Sequence, residues 1–444
     1  MSTASARCYT TLQNTARRVA KSKAKCVGCF DETAFKKGDM FIPVAVSLVH
    51  LSVHFRRRSV HPIYVVFCAT VPVLAIKKAL AISPYLSCKL SRLSFLGMLT
   101  VVYVHSFNFD DRYLWVGRPF FEEMNLFTFL QLMITNGLFR FGVPLFFFRA
   151  GMLMAATEEK YTPITRLKKR SQTLLIPYLA WSLFGILVTY YFESQADLAP
   201  FAESSWLRPF GNLPVHKWDL SQWFESALFH PISFQLWFLR SLFIYSILYP
   251  LLVKGLTWKP KWILGVFGFL WVSSFGGIGF IEGEGIFFFT LGIYYFKGGF
   301  SEDRIRDFFL RYRLYWIALG VVLLKTFLSF QFDYLHLPVY LLHKIAQPLL
   351  VLSVWFGYDF LLGQVQNSPL EKLSRYNFFV YGAHVPLVYY LTDLLFFQYG
   401  KDDSVRFAIF CCLPLVVSAT AILVGYVLEK AVYPVFWVLT GGRK

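Results

Sequence analysis

At 444 residues, the chain is 56% hydrophobic, 19% aromatic and only 16% charged. That charge is too sparse to cover a soluble protein of this size. The net charge of +18 is gathered between apolar runs, which is the pattern of cytoplasmic membrane loops. A nucleic-acid partner would need one continuous basic face instead, so the expected partner is a lipid bilayer and nucleic acid is excluded. Apolar runs near 20 residues recur without period-two alternation. They predict an all-α, polytopic transmembrane bundle rather than a barrel.

The first forty residues are polar and basic and have no apolar core of a signal peptide. Two 15-residue apolar runs follow, at 41–55 and 62–76, marginal for spanning, with Arg56, Arg57 and Arg58 between them. Residues 1–88 are read as a basic extension whose topology the charges do not settle. Its cysteines Cys8, Cys26, Cys29, Cys68 and Cys88, with Cys411 and Cys412 in a later span, form no readable disulfide framework. Cys26 and Cys29 are a lone CxxC without the further ligands a zinc site needs, so no metal is expected.

Residues 89–444 form the membrane domain. Ten spans are predicted, at about 93–108, 127–154, 171–192, 233–253, 262–276, 285–296, 314–330, 338–360, 377–397 and 406–428, the fifth and sixth being the shortest. Alternate loops differ sharply in charge. One set, including Lys160–Arg170, Lys254–Lys261, Lys297–Arg313, Lys372, Arg375, Lys430, Arg443 and Lys444, holds 18 cations. The other holds Arg112, Arg118, Arg208, Lys217 and Lys401, with Asp110, Asp111, Glu122, Glu123, Glu282, Glu284, Asp402 and Asp403. The first set is assigned to the cytoplasm. Both ends of the domain then lie inside, in a multi-pass protein of the plasma (inner) membrane. The longest outer loop, 193–231, is rich in Trp and Pro and is expected to cover the outer mouth.

Several side chains carry potential chemistry. His105 stands ~20 Å up the first span from Arg92 at ~1.5 Å per residue, and an ionisable group at that depth is a functional candidate. His384 and Tyr381, three residues apart on one helix face, put an imidazole beside a phenol. Trp237 fits an interfacial belt, whereas Arg240, a few residues into the fourth span, needs a partner. Arg149 can either snorkel to the surface or serve a ligand. Arg166, Lys168, Lys169 and Arg170 crowd into five positions where a phosphorylated ligand can be held. Nucleotide-binding glycine loops, HExxH and GxSxG are absent.

Six segments in order, VVYVHS (101–106), FGVPLFFFRAG (141–151), RLKKRSQTLLIPYLAW (166–181), LWFLRSLFIYSILYPLL (236–252), FFVYGAHVPL (378–387) and LTGGR (439–443), resemble the acyltransferase family 3 of multipass membrane acyltransferases. The resemblance covers 89–444. It implies transfer of an acyl group, usually acetyl, from cytoplasmic acyl-CoA as co-substrate, with no bound cofactor, to a hydroxyl of a cell-envelope sugar or glycan, free or lipid-linked. It implies a catalytic role for His105, and a place for Arg170 and its neighbours on the CoA phosphates. Two positions depart from the family pattern. The basic residue eleven before the histidine is Ser94 here, with Arg92 nearly opposite on the helix, and the serine of the second-span pattern is Ala150. Two residues are candidate substitutes for the missing cation: Arg92, whose long side chain can bend around the backbone near the inner end, and Arg149, which enters the next span from the same side. A transporter or flippase of a glycan would use the same cations and histidines without chemistry. An inactive homologue is the reading that Ser94 favours.

Overall fold

A computed structural model describes residues 82–107, 123–203, 207–211, 213–273, 281–331, 337–361, 363 and 369–443. The apolar runs at 41–55 and 62–76, Cys26 and Cys29, and the loop residues Asp110 to Arg118 and Glu122 lie outside them.

The ten predicted segments are all helical. Eight are long and apolar enough to cross a membrane: the first (Pro84–His105), second (Leu126–Ala156), third (Pro163–Ser194), fourth (Phe234–Trp258), seventh (Leu314–Gln331), eighth (Leu337–Leu361), ninth (Asn377–Tyr399) and tenth (Asp403–Ala431). The fifth, Pro260–Val272, and sixth, Gly283–Phe296, are shorter; at ~1.5 Å per residue they reach only ~20 Å. Among the described residues there is no regular strand.

The first helix begins where local chemistry allows. Ser83 caps it by accepting from the Leu86 amide, and Pro84 fills its first turn, where a missing amide hydrogen costs nothing. Its entry end carries two buried cations. Lys89 pairs with Asp359 of the eighth helix at 2.7 Å and lies 4.2 Å from the Trp355 ring centroid. Arg92 pairs at 2.6 Å with Glu371 of the short helix Pro369–Ser374. Such pairs contribute little net stability; they fix which helix ends meet. Cys88 also donates to Glu371, and the two donors hold the Glu371 carboxyl below its usual range.

The sixth helix lies backbone-to-backbone on the second. A Cβ added to Gly151 would come within 2.0 Å of the Phe289 carbonyl oxygen, and one on Gly292 within 2.0 Å of the Phe148 oxygen. Small residues permit this approach in membranes, where close packing rather than hydrophobicity drives helix association. The second helix is itself interrupted by a π turn, Met133–Gly137, and a 3-10 turn, Leu138–Phe141.

The 193–231 loop packs onto the bundle. Val215, Trp218 and Leu207 join a buried core with Phe192, Tyr390 and Trp181. Arg208 and Glu193 form a buried ion pair at 2.6 Å, and Glu193 also accepts from the Val215 amide. Large apolar side chains such as Leu183, Leu187, Leu251, Val416 and Leu423 face outward, as a lipid-facing surface requires.

Candidate active site

The ninth helix supplies the site because it breaks. Pro386 cannot donate to the Gly382 carbonyl, and Val385 leaves the helical region at φ −108°, ψ 134°. Two carbonyls at the break therefore accept from side chains. The Tyr381 oxygen accepts from His384 Nδ1 at 2.8 Å, and the Gly382 oxygen from Gln235 Nε2 at 3.3 Å. His384 Nδ1 consequently carries the proton, and its Nε2 is a lone pair with no hydrogen-bond partner. Tyr381 donates through its hydroxyl to the Gln235 carbonyl, so the ninth helix and the start of the fourth lock together.

Against this break stands the last residue of the first helix. The His105 Nδ1 lies 3.0 Å from the Tyr389 hydroxyl. Its ring sits 5.4 Å from that of His384 and 5.1 Å, edge-on, from Phe234. Tyr389 was not singled out from sequence. It sits four residues past Val385, on a helix 284 positions from His105 in the chain, and only the fold brings the two together.

His105 ends a cavity of about 1030 Å³. The cavity runs from Glu371–Asn377, beside the ion-paired entry of the first helix, past Ser94 and Met98 to His105, with Val101, Val143, Phe146, Trp237 and Phe238 around the upper part. The eleven residues from Ser94 to His105 give it a length of at least ~16 Å. Tyr381 and Gln235 line it; His384, although fully buried beside it, is not on the wall.

The cations sort differently from their order in the chain. Arg149 and Arg170 line the cavity. Arg166 does not: it is buried, donates to the Glu158 and Tyr161 carbonyls at 2.9 and 3.3 Å, and stacks on Tyr249. Lys168 is exposed, and Lys169 is spent on the Tyr161 hydroxyl and ring. Arg240 finds the partner its depth demands in the Phe229 carbonyl at 2.8 Å and lies off the cavity. Trp237, rather than standing in an interfacial belt alone, contributes to the wall.

Ser94 is buried, lines the cavity, and its hydroxyl has no partner. Arg92 is turned away to Glu371 and does not replace the missing cation. Arg149 lines the same cavity as Ser94. Across the antiparallel first and second helices, a Cβ on Gly97 would touch the Phe146 ring at 3.4 Å. Three residues back along the first helix and three forward along the second, Ser94 and Arg149 come to about the same level. Arg443, beyond the tenth helix, also lines the cavity; in the sequence it counts only as a cytoplasmic cation and as the end of LTGGR.

Comparison with known proteins agrees with this architecture. A family model described as an acyltransferase domain matches residues 93–424. The succinoglycan biosynthesis protein ExoH of Rhizobium meliloti (strain 1021) is 24% identical over 281 residues, covering 61% of this chain and 71% of that protein. No solved structure gives a significant match.

Proposed function

This chain belongs to the acyltransferase-domain family, and we propose that it is an O-acyltransferase that moves an acyl group, acetyl in the first instance, from cytoplasmic acyl-CoA to a hydroxyl of a cell-envelope polysaccharide. The observation that carries the reading is the cavity with guanidinium groups toward one end and a histidine at the other. A CoA thioester has that same polarity, with anionic phosphates at one end and the reacting carbonyl at the other. Arg149 and Arg170 suit the phosphates, and the apolar stretch between Met98 and Phe238 suits the arm and acyl group. The polysaccharide acceptor is supported by the similarity to a succinoglycan biosynthesis protein.

The reaction balances without a cofactor. When His105 Nδ1–H donates to the Tyr389 oxygen, Nε2 is free as a base. It takes the acceptor hydroxyl proton as the oxygen attacks the thioester carbonyl. The C–S bond breaks, and the thiolate leaves with the proton that His105 returns. Products are the ester and free CoA thiol. His384, 5.4 Å away with its own Nε2 lone pair, supports the imidazolium formed in between. Tyr381 and Gln235 hold the ninth and fourth helices in register around it.

Ser94 favours an inactive homologue only if nothing replaces the family's cation, and the place of Arg149 on the same cavity lining supports it as the replacement. The test is transfer of radiolabelled acetyl from acetyl-CoA to envelope glycans by purified protein. Labelled, base-labile ester on glycan is expected; its absence across a panel of acyl-CoA donors and glycan acceptors would contradict the reading.

A further inference from the structure

We propose that Arg443 is a donor-binding residue, placing a third guanidinium on the phosphates of the thioester; the assignment rests on the reading of the cavity as the donor site.

The segment that carries it is built to deliver it. Helix Tyr433–Thr440 is tied to the third helix by Trp181 Nε1, which donates to the Leu439 carbonyl at 2.8 Å. The chain then turns through Gly441 and Gly442, with φ 63° and 69°, a region open to glycine and costly for other residues. At Gly441 the turn also lies so close to the third helix that a Cβ would stand 2.7 Å from the Thr173 oxygen. Arg443 emerges from this turn with its guanidinium 3.9 Å from the Phe378 ring centroid and Nη1 donating to the Thr440 carbonyl at 2.9 Å. One bond uses a fraction of the five N–H donors of a guanidinium.

Charge decides what the others are for. At the cavity entrance, Arg92 is neutralised by Glu371 and Arg375 by Glu429. By contrast, none of Arg149, Arg170 and Arg443, on the same lining, has a carboxylate within ion-pair distance among the described residues. Arg170 meets only the Met154 sulfur, at 3.7 Å, and Arg149 Nε has no partner. Three like charges on one wall repel unless an anion joins them, and a diphosphate accepts from several guanidinium groups at once.

The test measures binding, not turnover. Full-length protein in phosphatidylcholine nanodiscs, which carry no anionic headgroup, is titrated with CoA and, separately, with pantetheine. Wild type is expected to bind CoA far more tightly than pantetheine. Arg443→Gln should weaken CoA binding tenfold or more and leave pantetheine unchanged, Arg443→Lys should recover part of the loss, and the melting temperature should stay near wild type. Unchanged CoA affinity in Arg443→Gln, or an equal loss for both ligands, overturns the role of Arg443. Wild type that does not bind CoA overturns the donor reading itself, and the Arg443 assignment with it.

Discussion

Arg149 stands at the height of Ser94 across the first and second helices, and both line the cavity below His105. A cation is thus supplied from the neighbouring helix where the first offers only a hydroxyl. Arg149→Ala should raise the Michaelis constant for acyl-CoA roughly tenfold or more, the range for losing a charged hydrogen bond. Ser94→Arg should preserve or raise activity alone, and should restore part of the loss in the double variant. Steady-state kinetics on the four proteins check this; an Arg149→Ala enzyme with normal kinetics would leave the height match without consequence.

Tyr389 orients His105 through a single hydrogen bond. Tyr389→Phe should lower kcat about tenfold, the worth of one such bond, with little change in the donor Michaelis constant. An equal fall in donor affinity would mean that Tyr389 shapes the cavity and does not act through the imidazole.

The bundle was legible because hydropathy and loop charge are averages over many residues. The site was legible only in part, because clustering in sequence is not clustering in space. Four cations within 166–170 lie around a helix whose residues turn by ~100° each. Arg170 reaches the cavity, Arg166 is consumed by carbonyls, and Lys168 and Lys169 face out. Tyr389 and Arg443 came from distant segments, and no periodicity links them to His105. Pro386 was the one local signal of the break that organises His384, and the two glycines before Arg443 the one hint of a shaped turn.

Arg166 provides a contrast to Arg170. Its bonds to Glu158 and Tyr161 hold the turn before the third helix. Arg166→Ala should cut folded yield or melting temperature, whereas Arg170→Ala should weaken acyl-CoA use in well-folded protein. Size-exclusion profiles beside kinetics separate the two; the reverse pattern would exchange their roles.

The Gly151–Gly292 crossing leaves no room for a side chain. Gly292→Ala should destabilise by about 1–3 kcal/mol, the usual cost of overpacking, read as a lower melting temperature in detergent. An unchanged melting temperature would show that the two helices can separate freely.

The central claim is that His105 performs acyl transfer at the end of a donor cavity. The most direct measurement compares His105→Ala with wild type for labelled acetyl transfer and, on the same preparations, for CoA binding. Transfer should vanish while binding and folded yield stay near wild type. Transfer retained within threefold of wild type would contradict the account.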